Sequence, residues 1–173
     1  MMGKTHRLGG IMVATAMLTA IPQDPLVIAG TVACSIAGSY FPDLDHKNST
    51  ASKKAKIVGT ITSTIFSHRG LMHSPLIYTI LYCAGLYFAP LPYSIFLTGW
   101  YFGVMSHLLL DLLNPQGIPL FAPISKKKYR LAEITTGGAG ETILRLILTI
   151  AAAMFGLWVI WYSGSEFVIN LVT

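Results

Sequence analysis

The stretch "SIFLTGWYFGVMSHLLLDLLNP", residues 94–115, decides the fold class of this chain. It is apolar and long enough to cross a bilayer as a helix, which takes about 20 residues. Near its end it carries His107 and Asp111, a histidine and an aspartate four positions apart. An acidic residue at the centre of a membrane helix costs about 2.5–3.5 kcal/mol, so ionisable residues inside such helices indicate a functional site. We therefore expect a membrane helix that carries part of a site at its end.

The composition of the whole chain predicts the same class. Of its 173 residues, 53% are hydrophobic and only 11% are charged, whereas soluble domains carry about 25% charged residues. We therefore predict an all-α polytopic membrane protein in which residues 1–173 form a single membrane-embedded domain. Cys34 and Cys83 lie in separate apolar stretches without CxxC spacing. This indicates packing residues and argues against a disulfide framework or a zinc ribbon.

Apolar runs separated by proline-rich turns and polar segments predict about five transmembrane helices. The runs cover residues 8–21, 26–41, 75–89, 94–113 and 143–162. The last two have the length of full spans, and the first three must tilt or lie in a thinner bilayer. The stretch "IVGTITSTIFS", residues 57–67, is apolar but too short to cross, so we interpret it as interfacial or re-entrant.

The basic residues predict the orientation of these helices. With the N-terminus inside, all 12 Lys and Arg residues lie on one side, Arg145 just within the last helix. The positive-inside rule makes this side cytoplasmic. The run "KKKYR" at 126–130 is then a topology determinant that contacts anionic head groups, and no nucleic-acid partner is expected. Two alternatives stay open: an N-terminal signal peptide, although no small-x-small cleavage site follows, and a spanning 57–67 segment, which would split the basic residues.

The predicted topology brings the polar clusters of the chain to one membrane face. His107 and Asp111 lie about 40° apart around a helix, so both can reach one ion or two adjacent ions. Gly99 and Gly103 continue this stripe and would let a neighbouring helix approach closely. His6 precedes the first helix at the same face.

An acidic segment and a glycine-rich segment lie on the same side. In "PDLDH", residues 42–46, the proline favours extended backbone, in which Asp43 and Asp45 point the same way and one carboxylate can bridge two cations. In "TTGGAGE", residues 135–141, a glycine turn leads into a helix N-terminus, whose N–H groups can bind an anion such as phosphate. Glu141 is then a further ligand, a general base or a first-turn glutamate favoured by the helix dipole.

A histidine-rich loop completes the set. In "SHRGLMHSP", residues 67–75, His68 and His73 are five positions apart and would diverge on a helix. We therefore expect a loop that turns both rings inward with Arg69 between them, followed by a helix with Ser74 as its N-cap. The role of His46, which follows Asp45 in the acidic segment, is left open.

These residues together predict a centre with two divalent cations. Nitrogen and oxygen ligands without thiolates suit zinc, which we favour, or manganese, and argue against a structural zinc site. A bound cation would activate a water for attack at phosphorus, while Arg69 would neutralise phosphate charge. Arg69 and Glu141 are thus the catalytic candidates. The predicted metal ligands are Asp43, Asp45, His68, His73, His107 and Asp111, with His6 as an additional candidate.

The ordered motifs resemble those of the YdjM-like family of bacterial inner-membrane proteins. They are "KTHRLGG", "PDLDH", "HRGLMHS", "SHLLLDLLNPQGIPLFAP" and "TGGAGE", and they extend over nearly the whole chain. The resemblance implies a helical protein of the bacterial inner membrane with a metal site and phospholipase-type hydrolase activity. A looser similarity links "HLLLD" to the helix motif of zinc-dependent phospholipase C and P1-type nucleases. The N-terminal ligand of those enzymes has no counterpart here unless His6 substitutes for it.

The predicted function is a metal-dependent hydrolase that cleaves a phosphoester of a phospholipid or other lipid at the cytoplasmic leaflet. An ester or amide carbonyl substrate would use the same machinery. One alternative is a divalent-metal transporter, but transporters bind near mid-membrane, often between repeated halves, and here the mid-span residues are apolar and no repeat is visible. The other alternative is a membrane scaffold with a structural metal. The sequence leaves the oligomeric state open.

Overall fold

Five α-helices make up most of the described chain. The computed structural model describes residues 1–21, 24–45 and 71–172. Among these residues there is no strand, and one backbone bridge joins Ile118 to Tyr129. The all-α prediction is confirmed. The helices are α1 (Gly3–Met17), α2 (Pro25–Tyr40), α3 (Pro75–Phe88), α4 (Tyr93–Leu112) and α5 (Ala139–Val172), with 3₁₀ turns at Phe41–Asp45 and Leu71–His73.

Three helical stretches in the described ranges are long and apolar enough to cross a membrane. They are Pro25–Leu44, Tyr93–Leu112 and Ala139–Tyr162. The helices α1 and α3, with 15 and 14 residues, are shorter than a straight span needs, as expected from the lengths of their apolar runs. The chain is a helical membrane protein, and the count of five crossings stays a prediction.

Prolines begin two of the helices. Pro25 is the first residue of α2, and the Asp24 carboxylate before it accepts hydrogen bonds from two backbone N–H groups at 2.9 and 3.1 Å. This cap satisfies N–H groups that have no partner inside the helix. The helix α3 begins at Pro75, but Ser74 before it makes no cap bond. Its hydroxyl donates to the Ala122 carbonyl at 2.7 Å instead, which ties the start of α3 to the segment that follows α4.

Small residues bring α2 and α4 into close contact. A Cβ at Gly103 would collide with the backbone of Ser35, and one at Gly99 would lie 3.2 Å from another α2 carbonyl. The helix α1 fits against the same pair through Gly10, where a Cβ would lie 2.6 Å from the Ser39 hydroxyl. The predicted role of Gly99 and Gly103 is confirmed. As a result, α1, α2 and α4 form a tight three-helix core.

The segment after α2 differs from the prediction. We expected extended backbone from residue 42 onward, but Phe41–Asp45 form a 3₁₀ turn that continues α2. The cause is tertiary packing: the Phe41 ring lies edge-on against Trp100 and Tyr78, with centroids 5.1 and 6.3 Å apart. These contacts hold the chain close to the bundle and override the local preference of proline for an extended neighbour.

The polar segment between α4 and α5 folds back over the end of α4. Ile118 is buried in the core, and its backbone exchanges two hydrogen bonds with Tyr129, at 3.0 and 2.9 Å. Gly117 has a φ of 60°, and a Cβ there would collide with the Tyr129 carbonyl, so this turn requires glycine. The Leu131 N–H donates to the Leu112 carbonyl at 2.7 Å, which satisfies one of the last carbonyls of α4.

The helix α5 lies on the outside of the bundle. It packs against α1, and only 6% of its spanning window is buried against protein. Large apolar side chains such as Leu157, Ile160 and Trp161 are exposed along it. A helix that is apolar on nearly all sides is typical of a membrane span, whose outer surface faces lipid.

Candidate metal centre

Five predicted ligands converge at one end of the bundle. The first turns of α1 contribute His6, and the last turns of α4 contribute His107 and Asp111. Asp43 comes from the 3₁₀ turn after α2, and His73 from the 3₁₀ turn before α3. Two helices therefore end at this point and two begin there, which is the convergence that the topology predicts.

The Asp111 carboxylate lies at the centre of this cluster. Its Oδ1 is 3.3 Å from the Nε2 of His6, and its Oδ2 is 3.3 Å from the Nε2 of His107 and 3.7 Å from that of His73. The N-terminal ammonium of Met1 also forms an ion pair with Oδ1, at 2.9 Å. The two oxygens of one carboxylate thus face different histidines, an arrangement that suits a carboxylate bridging two cations.

The ligand atoms form two overlapping groups. In each group the candidate atoms lie within 4.8 Å of one another. One group is His6, His107 and Asp111, and the other is Asp43, His73 and His107. A Zn²⁺ ion bound at about 2.0–2.2 Å to each of two ligand atoms would separate them by about 3.3–3.6 Å. The 3.3 Å distances from Asp111 to His6 and His107 lie in this range, and the 3.7 Å distance to His73 is slightly longer.

A backbone hydrogen bond fixes the tautomer of His107. The ring is fully buried, and its Nδ1 lies 2.8 Å from the Ser39 carbonyl. A carbonyl can only accept, so Nδ1 carries the hydrogen, as is usual for metal-binding histidines. Nε2 has no hydrogen-bond partner among the described residues, and it faces the carboxylates of Asp111 and Asp43 at 3.3 and 3.8 Å. A lone pair aimed at two carboxylates is unfavourable, and either a proton on Nε2 or a bound cation would relieve the repulsion. These residues therefore fit a metal.

The environment of His73 keeps its ring available as a ligand. Burial, followed by the charge of the neighbouring His107, lowers the pKa of His73 to about 4. The imidazole is therefore neutral at pH 7 and has a free lone pair, as metal binding requires. Its Nδ1 has no hydrogen-bond partner among the described residues.

Glu141 belongs to neither group of candidate ligands. Its buried carboxylate accepts hydrogen bonds from the Met2 N–H at 2.7 Å, the Thr5 hydroxyl at 2.5 Å and the Gly137 N–H at 2.6 Å. The glycine turn that was expected to bind an external anion therefore gives an N–H group to Glu141. These bonds join the start of α1 to the start of α5, one residue from His6.

Part of the predicted site lies outside the described residues. This applies to the ligand candidate His68, the phosphate-binding candidate Arg69, His46 and the segment 57–67. Asp45 ends the 3₁₀ turn after α2, and only its backbone belongs to the described part. The roles predicted for these residues stay predictions.

Sequence reasoning missed two features of the site. The Ser39 carbonyl that orients His107 is a backbone atom, so no residue type signals it. Lys128 lines a cavity of about 280 Å³ that also contacts Asp43, His73 and Asp111. In the sequence Lys128 is one of three consecutive lysines, and only the folded backbone distinguishes it from its neighbours.

The fold and the site define a helical membrane protein with a candidate metal centre at one end of its bundle. The chain belongs to the YdjM inner membrane protein family, which it matches over residues 1–172. This family and the apolar helices place it in the inner membrane. The number of crossings and the cytoplasmic N-terminus stay predictions.

Individual relatives support the same assignment. The chain is 30% identical to the protein YvsG of Bacillus subtilis over 155 residues, which cover 90% of this chain and 94% of the relative. It is also 30% identical to the inner membrane protein YdjM of Escherichia coli over 139 residues, 78% of this chain and 67% of the relative. No solved structure matches the chain. These matches confirm the resemblance to the YdjM family and do not show the looser one to phospholipase C and P1-type nucleases.

Proposed function

We propose that this chain is a membrane-bound, metal-dependent hydrolase that cleaves a phosphoester of a phospholipid or another lipid at the cytoplasmic leaflet. The observation that carries the proposal is the buried Nε2 of His107, which faces the carboxylates of Asp43 and Asp111 without a hydrogen-bond partner among the described residues. A buried polar atom without a partner is costly, and a cation held between this ring and the two carboxylates would remove that cost, as a proton on Nε2 would. The three further candidate ligands beside it, His6, His73 and Asp43, favour the cation.

The chain's own residues provide the ligands and their orientation. Asp111 offers Oδ1 towards His6 and Oδ2 towards His73 and His107, so it would hold two cations side by side. The Ser39 carbonyl holds the His107 ring in the tautomer that leaves Nε2 free. Asp45 and His68 complete the predicted ligand set. We favour zinc, with manganese as the alternative, because the donors are nitrogen and oxygen.

A divalent cation in such a site lowers the pKa of a bound water towards neutrality and polarises a phosphoryl oxygen. The protein supplies access for the substrate and positive charge for its phosphate group. The cavity beside Asp43, His73 and Asp111 gives a polar group access to the ligands, and Arg69 would neutralise phosphate charge. Because the ligands lie at helix ends, a lipid head group would enter from the membrane interface while its acyl chains stay in the bilayer.

The position of the ligands also favours a hydrolase over a metal transporter. Transport sites lie near the bilayer midplane, at interruptions of membrane helices. Here His107 and Asp111 lie in the last turns of α4, and that helix is continuous from Tyr93 to Leu112. A scaffold with a structural metal would use the same ligands, and only an activity measurement separates it from a hydrolase.

The test combines metal analysis with hydrolysis assays. Protein purified in detergent after growth with zinc or manganese is analysed for bound metal, beside Asp111→Asn and His107→Ala. The control is Asp24→Asn, at the opposite end of α2, where asparagine still caps the helix. We expect two cations per chain in wild type and control, and metal-dependent release of head group or phosphate from a phospholipid panel. Wild type without tightly bound metal would overturn the proposal, and metal without any hydrolysis would favour the scaffold.

A further inference from the structure

A polar cavity opens beside the candidate metal centre. Its volume is about 280 Å³, and three candidate ligands line it: Asp43, His73 and Asp111. Small-molecule sites usually have about 300–1,000 Å³, so this cavity has nearly the size of such a site and suits a small polar group such as a phosphate. Much of the remaining lining comes from the segment between α4 and α5, including Asn114, Gln116, Lys128 and Thr136.

Of the three lysines at residues 126–128, Lys128 is the one that lines the cavity. Side chains alternate between the two sides of an extended chain. The Lys127 ammonium lies over the Tyr129 ring, 5.4 Å from its centroid, so Lys127 and Tyr129 share one side. Lys128 points to the other side and lines the cavity, whereas Lys126, which the same alternation places on the side of Lys128, is not part of the lining. The paired hydrogen bonds between Tyr129 and Ile118 fix this register, because Ile118 is anchored in the core.

The charges around the cavity determine what it can bind. Asp43 and Asp111 supply negative charge, and the positive groups of the lining are the Met1 ammonium, which is paired with Asp111, and Lys128. With two divalent cations on the carboxylates, the balance becomes positive and the cavity attracts an anion. An ammonium group binds phosphate as a strongly hydrated point charge with three donors. A phosphate at this point would lie between the metal centre and Lys128.

We propose that Lys128 binds the phosphate group of the substrate in this cavity and makes the site selective for phosphate-bearing substrates over uncharged esters. The inference rests on the proposed hydrolase function, which it deepens by naming the group that is recognised. This role belongs to Lys128 alone. Lys126 and Lys127 keep their predicted role as topology determinants.

The first test measures binding without catalysis. Glycerol phosphate is titrated into metal-loaded protein in detergent by calorimetry, and glycerol serves as the uncharged probe. Lys128→Gln should weaken glycerol phosphate binding about 10- to 100-fold, the effect expected for loss of a charge-assisted hydrogen bond. Lys126→Gln and Lys127→Gln remove the same charge from the same segment and should leave the affinity nearly unchanged, and Lys128→Arg should retain most of it. Equal losses in all three glutamine variants, or no loss in Lys128→Gln, would overturn the inference.

The second test uses lipid in place of the free phosphate. Hydrolysis of a phospholipid in nanodiscs is compared with hydrolysis of an uncharged ester, for wild type and Lys128→Gln. The substitution should raise the KM for the phospholipid and leave that for the uncharged ester unchanged. If the lipid head group occupies the cavity, glycerol phosphate should compete with it.

The two proposals fail in different ways. Lys128-dependent binding of glycerol phosphate, without hydrolysis of any phosphoester by wild type, would sustain the inference and reject the proposed function. Equal hydrolysis of phospholipid by wild type and Lys128→Gln, at equal KM, would sustain the function and reject the inference. Thermal unfolding of Lys128→Gln confirms that the variant is folded, which is expected because the side chain is exposed.

Discussion

The imidazole rings of His6 and His107 are stacked, with centroids 3.7 Å apart and planes inclined by 15°. One ring comes from the first turns of α1 and the other from the last turns of α4. The contact is possible because Gly9 and Gly10 let α1 approach the core: a Cβ at Gly9 would lie 2.9 Å from the Leu110 side chain. The stacking brings two histidines to one carboxylate, and His6 faces the Asp111 oxygen that the other two histidines do not.

His6→Ala should therefore remove one cation and leave the other. The remaining group of Asp43, His73 and His107 keeps its three ligand atoms within reach of one ion. We expect the metal content to fall from two to one per chain, measured by elemental analysis after dialysis. Asp111→Asn should lower the affinity for both cations, since Asp111 faces both. Full retention of two cations in His6→Ala would show that His6 is not a ligand.

Glu141 should act as a positioning residue. Glu141→Ala leaves the Met2 N–H, the Thr5 hydroxyl and the Gly137 N–H without their acceptor, which costs about 1–3 kcal/mol of stability. Because Thr5 precedes His6, the metal affinity should fall about 10- to 100-fold, as for other groups that orient ligands. At saturating metal the hydrolysis rate should recover.

The control for this experiment is Glu133→Ala. Glu133 is exposed and, within the described part of the chain, forms an ion pair with Arg130 at 3.2 Å, so its loss should change neither metal affinity nor stability measurably. A Glu141→Ala protein that binds metal normally but has lost its hydrolysis rate would instead establish Glu141 as the general base, the alternative that its position in the sequence left open.

Two glycine substitutions should have opposite consequences. Gly103→Ala forces a methyl group against the Ser35 backbone and should lower the stability by about 1–3 kcal/mol, as overpacking does. Gly156→Ala on α5 has open space around it and should leave the stability unchanged or raise it by up to about 1 kcal/mol, because alanine is the better helix former. Thermal unfolding in detergent measures both. A stable Gly103→Ala protein with unchanged metal content would contradict the close packing of α2 on α4.

The metal-free protein should lose stability as the pH falls. In the fold the pKa of His73 is lowered from 6.5 to about 4, first by burial and then by His107. Between these values the unfolded chain binds the proton and the folded chain does not, so stability is present above pH 6.5 and is lost as the pH falls towards 4. His73→Gln should make the melting temperature of the metal-free protein less dependent on pH in this window. An unchanged slope would show that His73 does not contribute.

Much of the fold could be predicted because the bilayer imposes strict rules on sequence. Apolar runs, proline breaks and the glycine stripe at Gly99 and Gly103 are local signals, and each corresponds to an element or a contact of the structure. The contact between His107 and Asp111 was also predictable, because residues four apart in a helix are neighbours on the same face.

The errors arose where distant packing decides local structure. The 3₁₀ turn at Asp43 depends on aromatic contacts of Phe41 with Trp100 and Tyr78, and none of these pairings is visible in a five-residue motif. Likewise, the hydroxyl of Ser74 binds the Ala122 carbonyl because the segment after α4 folds back beside α3. The internal hydrogen bond from Gly137 to Glu141 was missed because a glycine turn before a helix has the same sequence whether its N–H groups bind a side chain or an external anion.

The assembly of the centre from four separate helix ends has a consequence for biogenesis. His6 leaves the ribosome before Asp111, which is synthesised only after α1, α2 and α3 have been made. Until α4 has been made, His6 and His73 have no Asp111 carboxylate beside them. The polar centre is therefore completed late in synthesis, and a chain that stops short of α4 lacks the carboxylate around which the histidines are arranged.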